Sequence, residues 1–281
     1  MSERGTEVRA RLATMNELEE VLGAMRGMAA ARIQQGEKAQ LAAREYAARI
    51  GAAFASLSRE NIAAPSSPTV EPAGPMLVVA LCTERGFVGA LNEHVLRAAA
   101  EQAGAREIFL VGARGLAFAR EQGLKVTYVG SMATHLGGIG EVADQVGDLL
   151  SKSATAGTSL AVEVVHPRRT ETGGAVVERR RLLPLDVPLG ASSRGVAPIT
   201  MLPPLALASQ IAGEYVHARL FEFVAESFAA ANAANLEVLQ AAHTHLDGML
   251  VELRKTENVL RQEEITAEVL EVITGRMKSL R

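Results

Sequence analysis

The chain has 281 residues, room for one large domain or two smaller ones and well beyond the size at which a domain needs disulfides or metals to fold. Its 29 Lys and Arg against 32 Asp and Glu give a net charge of −3, without the basic excess that nucleic-acid and anionic-lipid binders use for affinity, and its one cysteine, Cys82, excludes an internal disulfide or a Cys-rich zinc site. Apolar residues make up 48% but aromatics only 4%, with no Trp; this composition suits long helix-on-helix packing better than an aromatic-lined pocket.

Met1 to Arg11 mixes both charge signs and has no apolar core, so no signal peptide is expected there. From Thr6 to Leu57 there is no proline, and Val8, Leu12, Met15, Leu18, Leu22, Met25, Met28 and Ile33 recur near the helical period. The spacing predicts one long amphipathic helix, lowered in propensity by Gly23, Gly27, Gly36 and Gly51 and therefore in need of a partner. Pro65, Pro68, Pro72 and Pro75 then end any helix and mark a first boundary.

Strand and helix signals alternate beyond it. Met76–Cys82 reads as an apolar strand, Leu91–Ala103 as a helix, Glu107–Val111 as a strand and Gly115–Gln122 as a helix. Lys125–Val129 reads as a strand, Glu141–Lys152 as a helix and Ser159–Val165 as a strand, a βαβ succession that predicts a mostly parallel sheet. Ala175–Leu183 reads as one more strand, antiparallel if Gly173-Gly174 makes a hairpin turn. The longest uncharged stretch, Gly195 to Gly213, is broken by Pro198, Pro203 and Pro204 and reads as a linker rather than a membrane span.

The last segment, Leu205 to about Lys278, is again free of proline. Leu236, Leu239, Leu246, Leu250, Leu253 and Leu260 fall on alternating three- and four-residue steps, with His243 and Glu257 interrupting the seam; the pattern then slips to Ile265, Val269 and Val272. At 1.5 Å per residue this helix would run on the order of 110 Å and the first about 75 Å, too long for one compact globule. The expected architecture is a long antiparallel two-helix coiled coil from residues 1–61 and 205–281, with a Rossmann-like α/β domain of residues 75–190 inserted between them.

Residues that would carry chemistry are few. Gly86, Gly89 and Asn92 follow the first strand and open a helix, where a dinucleotide fold holds phosphate, but the spacing is not GxGxxG and no GKS or GKT follows. Gly137-Gly-Ile-Gly140 reads equally as a helix entry. His243 and His245 are two apart, on different helix faces, and cannot chelate one metal together. Cys82 reads as a buried small hydrophobe, and Arg179-Arg-Arg181 as a solvated edge strand with its side chains split between two faces. No Ser/His/Asp set, carboxylate pair or metal-ligand spacing stands out, so no catalytic, cofactor or metal residue is assigned.

Three motifs in order carry a family resemblance. Glu7-Val-Arg-Ala-Arg-Leu-Ala-Thr-Met15 and Glu20-Val-Leu-Gly-Ala-Met-Arg-Gly-Met-Ala-Ala-Ala-Arg-Ile33 resemble E-I-R-x-K-I-x-S-V and K-I-T-K-A-M-x-M-V-A-A-x-K-M. Thr83-Glu-Arg-Gly-Phe-Val-Gly-Ala-Leu-Asn92 is similar to S-D-x-G-L-C-G-x-L-N. Arg261-Gln-Glu-Glu-Ile-Thr-Ala-Glu-Val-Leu-Glu-Val-Ile-Thr-Gly275 is similar to R-Q-A-A-I-T-x-E-L-x-E-I-V-x-G. These patterns are those of the gamma subunit of F-type ATP synthases; residues 100–205 are merely consistent with it.

The resemblance implies a non-catalytic central rotary shaft that couples ion flow to ATP synthesis or hydrolysis on the beta subunits, without a cofactor of its own. It implies as partners three alpha and three beta subunits around the coiled coil, with the epsilon subunit and the membrane c-ring at the inserted domain. The place implied is the cytoplasmic face of the bacterial inner membrane, held peripherally with no span of its own. Arg261, Gln262, Thr266 and Glu268 match positions the family uses to touch surrounding subunits, and Met25 and Arg26 are assigned to the matching level of the first helix. Glu20, Gly23 and Asn235 replace positive residues of the family, a departure that fits a divergent branch such as the alternative, sodium-type bacterial ATPases. The competing readings are a Rossmann-like enzyme with helical oligomerisation arms and a passive coiled-coil scaffold.

Overall fold

In a computed structural model, residues 3–57, 76–101, 107–154, 161–185 and 200–279 are described. In chain order, helix α1 (Glu3–Leu57) is followed by β1 (Met76–Leu81), α2 (Leu91–Glu101), β2 (Glu107–Val111), α3 (Gly115–Glu121) and β3 (Val126–Gly130). Then come α4 (Gly138–Ala154), β4 (Ala161–Arg169), β5 (Ala175–Leu183) and α5 (Pro204–Ser279). The strands form one five-stranded sheet in the order β3-β2-β1-β4-β5. β1 pairs parallel with β2 and β4, β2 with β3, and β5 closes the edge antiparallel to β4. The hairpin turn has Gly173 at φ 103°, a conformation open to glycine, and Thr170 N–H donates to the Gly174 carbonyl at 2.7 Å.

Central parallel strands are covered on both faces, which is why Met76–Leu81 is an unbroken apolar run. Alternate residues point to opposite faces. Leu77, Val79 and Leu81 face one layer with Val142, Val146 and Leu150 of α4 and Leu220, Phe223, Val224 and Phe228 of α5. Val78 and Ala80 face the other, with Val95, Leu96 and Ala99 of α2 and Ala119 of α3. Both faces of the sheet are thus closed by helices, one of them by the C-terminal helix itself.

The chain forms two compact units, Ala29–Asn235 and Met1–Met28 with Leu236–Arg281. Within the first, α1 and α5 run antiparallel: Gly36 lies against Ala229, Arg44 bonds to Glu222, and Ala47 packs with Ala218 and Tyr215. A Cβ on Gly36 would stand 2.9 Å from the Ala229 Cβ, so the close approach of the two helices depends on glycine there. Within the second unit the pairing is again antiparallel. One apolar cluster takes in Leu12, Met15 and Leu22 of α1 with Leu246, Leu250 and Leu253 of α5, and Arg9 lies 3.9 Å from Glu264 while Arg254 reaches Asn16 at 3.5 Å. The antiparallel helix pairing and the inserted α/β sheet expected from the sequence are both present.

The structure corrects several details. α5 begins at Pro204, one residue before the helix expected from Leu205, and so takes in residues 204–213 of the uncharged stretch that also reads as a linker; proline suits a first helical position because its missing N–H has no intrahelical partner to lose. α4 begins at Gly138, so the glycine-rich loop is a helix entry, and β4 runs four residues beyond the expected Val165 to Arg169. On α1 the inward-facing row is Leu12, Met15, Glu19 and Leu22, whereas Leu18 is 46% exposed. On α5 the row keeps its phase through Leu253, Glu257, Leu260 and Glu264. Ile265, Val269 and Val272 therefore do not continue the seam; they are 52%, 51% and 68% exposed.

Candidate functional site

The residues singled out at the C-terminal end of α5 lie on its surface. Arg261, Gln262, Thr266 and Glu268 are exposed, with the Thr266 hydroxyl donating to the Gln262 carbonyl at 2.8 Å. Beside them Val259, Ile265, Val269, Leu270, Val272 and Ile273 are at least half exposed. Large apolar side chains interleaved with charged ones on an open helix face are the composition of a contact surface. Met25 and Arg26 are half-buried on α1, and the Arg26 Nε is enclosed without a hydrogen-bond partner. The antiparallel register sets Arg9 beside Glu264, so Met25 lies ~24 Å further along the helix pair at 1.5 Å per residue. Met25 and Arg26 are therefore not at the level of the Arg261–Glu268 group, and the two form separate places on one unit.

The motif at the end of β1 is closed on itself. Thr83 N–H donates to Asn92 Oδ1 at 2.8 Å, Asn92 Nδ2 donates to Thr83 Oγ1 at 2.9 Å, and Thr83 Oγ1 donates to the Arg85 carbonyl at 2.8 Å. Phe87 takes a φ of 60°, unusual for a bulky residue, and its carbonyl accepts from Asn235 Nδ2 of α5 at 3.0 Å. Val88 and Leu91 pack with Ala234. In an open parallel sheet ligands bind outside the carboxyl ends of the strands. Here that crevice holds Glu84, whose Oε2 accepts from the backbone N–H of Met132 at 3.0 Å and of Ala113 at 3.2 Å. A carboxylate on the N–H groups that a phosphate would use leaves the loop without the chemistry of a nucleotide site. Cys82 next to it is buried, and desolvation pushes its thiol up to about 12, so it is no nucleophile.

A buried network of charges joins the sheet to both long helices. His166 of β4 is fully buried, its ring stacked 4.8 Å from that of Phe223, and its Nε2 lies 2.7 Å from Glu226 Oε2. Glu226 Oε1 accepts from Gln40 Nε2 at 2.7 Å and Arg44 Nη2 at 3.0 Å. Glu222, one turn earlier on α5, accepts from Arg44 Nε at 3.0 Å and from Arg219 at 2.5 Å. Arg180 of β5 sits 5.9 Å over the Phe223 ring and pairs with Glu178 at 2.7 Å. Desolvation pushes the Glu226 carboxyl up, but the hydrogen bond and charge of His166, with the charges of Arg180 and Arg44, outweigh it and hold it below the usual carboxylate range. Glu178 is likewise held low against desolvation by Arg180 and Arg168.

Sequence reading missed this network because its members lie far apart in the chain, Gln40 and Glu226 by 186 residues. The only local signal was the arginine run. Its faces do split as expected, but Arg180 is turned inward, and only Arg179 and Arg181 are exposed on the edge. One further group combines metal-ligating side chains: Glu19, His243 and Asp247 converge in the helix pair of the second unit.

Comparison with known proteins gives a consistent picture. A family model described as ATP synthase matches residues 4–277. The chain is similar to the ATP synthase gamma chains of Burkholderia mallei (strain SAVP1) and Burkholderia thailandensis, each 29% identical over 294 residues and covering 96% of this chain and 97% of theirs. Among solved structures, its fold is like a chain of the Euglena gracilis mitochondrial ATP synthase OSCP/F1/c-ring assembly, with a TM-score of 0.61 at 16% identity over 99% of this chain and 94% of that one. It is also like a chain of the Tetrahymena thermophila mitochondrial ATP synthase central stalk/c-ring, with a TM-score of 0.57 at 18% identity over 79% of this chain and 99% of that one.

Proposed function

The chain belongs to the ATP synthase family, and from that premise we propose that it is the gamma subunit of an F-type enzyme and works as its central rotary shaft. It carries no catalysis itself; the reaction takes place on the beta subunits, and this chain couples their states to rotation. The observation that carries the reading is the exposed mixed face of α5 from Val259 to Ile273, a surface suited to burial by other chains rather than by its own helix partner.

The helix pair of Met1–Met28 with Leu236–Arg281 would turn within a ring of three alpha and three beta subunits. Its faces differ, so each beta subunit would meet a different set of side chains and be biased toward a different nucleotide state. Rotation is then a population shift at three sites in turn, driven by differential contacts. Arg261, Gln262, Thr266 and Glu268 are assigned to these contacts, and Met25 and Arg26 to a second contact further along the pair, a role supported by the unpaired, enclosed Arg26 Nε. The α/β domain is assigned to docking on the epsilon subunit and the c-ring. The assembly would lie at the cytoplasmic face of the bacterial inner membrane; no helix among the described residues is long and apolar enough to cross a membrane. Glu20 and Gly23 are exposed, so the charges lost there alter the surface rather than the seam.

The test is Arg261→Ala with Gln262→Ala in the assembled complex. Exposed side chains contribute within about 0.5 kcal/mol to stability, so melting temperature and subunit stoichiometry should stay near those of the parent. ATP turnover, or its coupling to ion transport, should fall. Unchanged turnover and coupling in a complete complex would reduce both residues to ordinary solvated surface.

A further inference from the structure

The helix pair of the second unit buries an apolar seam, and at one level both helices interrupt it. On α1 the inward row passes from Met15 through Glu19 to Leu22; on α5 it passes from Leu239 through His243 to Leu246. Asp247 lies one turn beyond His243, with its Oδ2 3.0 Å from His243 Nδ1. One ligand atom from each of Glu19, His243 and Asp247 lies within 4.8 Å of the other two. Among the described residues no Lys or Arg pairs with Glu19 or Asp247, although carboxylates elsewhere on these helices, such as Glu252 and Glu264, have a cation beside them. A polar layer in a coiled-coil seam lowers stability, and two carboxylates facing a single imidazole leave an excess of negative charge there.

We infer that Glu19, His243 and Asp247 form a binding site for a divalent transition-metal cation of the zinc type, which staples α1 to α5. One imidazole and two carboxylates supply three protein ligands and leave a fourth position for water. His243 and Asp247, at i and i+4 on one helix face, would chelate from α5, and Glu19 would close the site from the partner helix. Metal–ligand distances of about 2.0–2.2 Å in tetrahedral geometry bring ligand atoms to about 3.5 Å from one another, so the side chains must draw in by about an ångström. Half-buried Glu19 and His243 and exposed Asp247 are free to make that adjustment. Mg²⁺, which favours oxygen ligands and keeps most of its water, is poorly matched to a site with an imidazole nitrogen. The inference rests on these helices alone and is independent of the rotary reading.

The experiment titrates Zn²⁺ into the full chain, prepared without a histidine tag, by calorimetry and by thermal melting followed by circular dichroism. One Zn²⁺ per chain should bind at micromolar affinity and raise the melting temperature, with no competition from millimolar Mg²⁺. Glu19→Gln, His243→Asn and Asp247→Asn should each weaken binding at least tenfold while the metal-free chain keeps its helical spectrum. His245→Asn, on another face of α5, should leave binding unchanged. Absence of binding would overturn the site and leave the three groups a metal-free polar layer. Binding insensitive to His243→Asn, or lost with His245→Asn, would place the metal elsewhere; binding that survives Glu19→Gln would overturn the staple between helices.

Discussion

Glu226 is where α1, β4 and α5 meet, and removing its carboxylate tests whether the buried network holds the sheet to the helices. In Glu226→Ala, Gln40 Nε2, Arg44 Nη2 and His166 Nε2 each lose their acceptor. Arg44 is about half exposed and can turn to water. His166 cannot: it is fully buried, and its Nδ1 already lacks a partner, so the ring would be left with no hydrogen bond. A stranded buried polar group costs about 1–3 kcal/mol, and breaking a buried charge pair about 3–5 kcal/mol. With the re-solvation of Arg44 set against these, the expected loss is about 3 kcal/mol. Glu226→Gln keeps the shape and one acceptor oxygen, and its NH₂ can donate to His166 if the imidazole proton moves to Nδ1, so about 1 kcal/mol is expected.

The measurement has a convenient reporter. The chain has no Trp, and its three tyrosines, Tyr46, Tyr128 and Tyr215, all lie within Ala29–Asn235, so tyrosine emission during urea unfolding follows that unit alone. The acid limb adds a second readout. The Glu226 carboxyl is held below its usual range, so its contribution is fully present above the unfolded-state pKa of about 4.3 and is lost as pH falls through the lower folded-state value. Glu226→Gln should therefore flatten the loss of stability below about pH 4.5. A cost under about 1 kcal/mol for Glu226→Ala, or an unchanged acid limb in Glu226→Gln, would refute the argument that this network is a tie.

Three further outcomes are expected. Gly36→Ala forces a Cβ to 2.9 Å from that of Ala229 and should destabilise by about 1–3 kcal/mol, whereas Gly23→Ala, with nothing within 4 Å, should stabilise by up to about 1 kcal/mol in circular-dichroism melts. Cys82 should resist an aromatic disulfide reagent even at pH 9, because its thiol is held near 12 and buried, and react only at the rate of unfolding. The isolated chain should bind no ATP at micromolar concentration in calorimetry, since Glu84 occupies the strand-end N–H groups; micromolar binding would revive the enzyme reading.

What was legible in the sequence was what periodicity can carry. Alternating apolar runs gave the sheet, and Gly173-Gly174 gave the antiparallel edge, because a turn's backbone demand is local. Counting apolar residues located the two long helices but misplaced their inner faces. Leu18 falls on the apolar stripe of the sequence, yet Glu19, its polar neighbour, faces inward; Ile265, Val269 and Val272 look like a slipped seam, yet Glu264 holds the original phase beside Arg9. A helix face is set by the geometry of pairing, so a polar residue at an inward position shifts the apparent stripe to whichever apolar residue stands next to it. The Arg44–Glu222–Glu226–His166 network was not legible at all, since nothing local marks residues that meet only after the sheet and both helices have come together.

The placement of polar groups separates the work of the two units. A parallel sheet of this order ordinarily offers its strand ends to a ligand, yet here Thr83, Glu84 and Asn92 bind backbone and one another, and Asn235 anchors the Phe87 carbonyl. With its crevice filled from within, the strand end keeps the N–H groups of Ala113 and Met132 on Glu84. His166, Arg44 and Arg180 meet Glu226, Glu222 and Glu178 inside the same unit, and the fully buried Glu222 and Glu226 carboxylates are costly to strip of these partners. The end of α5 does the reverse: Val259, Ile265, Val269, Leu270, Val272 and Ile273 present apolar side chains to solvent. A part that carries load needs its polar groups satisfied internally, and a part that acts on other proteins needs unsatisfied surface. The first condition is met in Ala29–Asn235 and the second at the C-terminal turns of α5, which is the division of labour a rotary shaft requires.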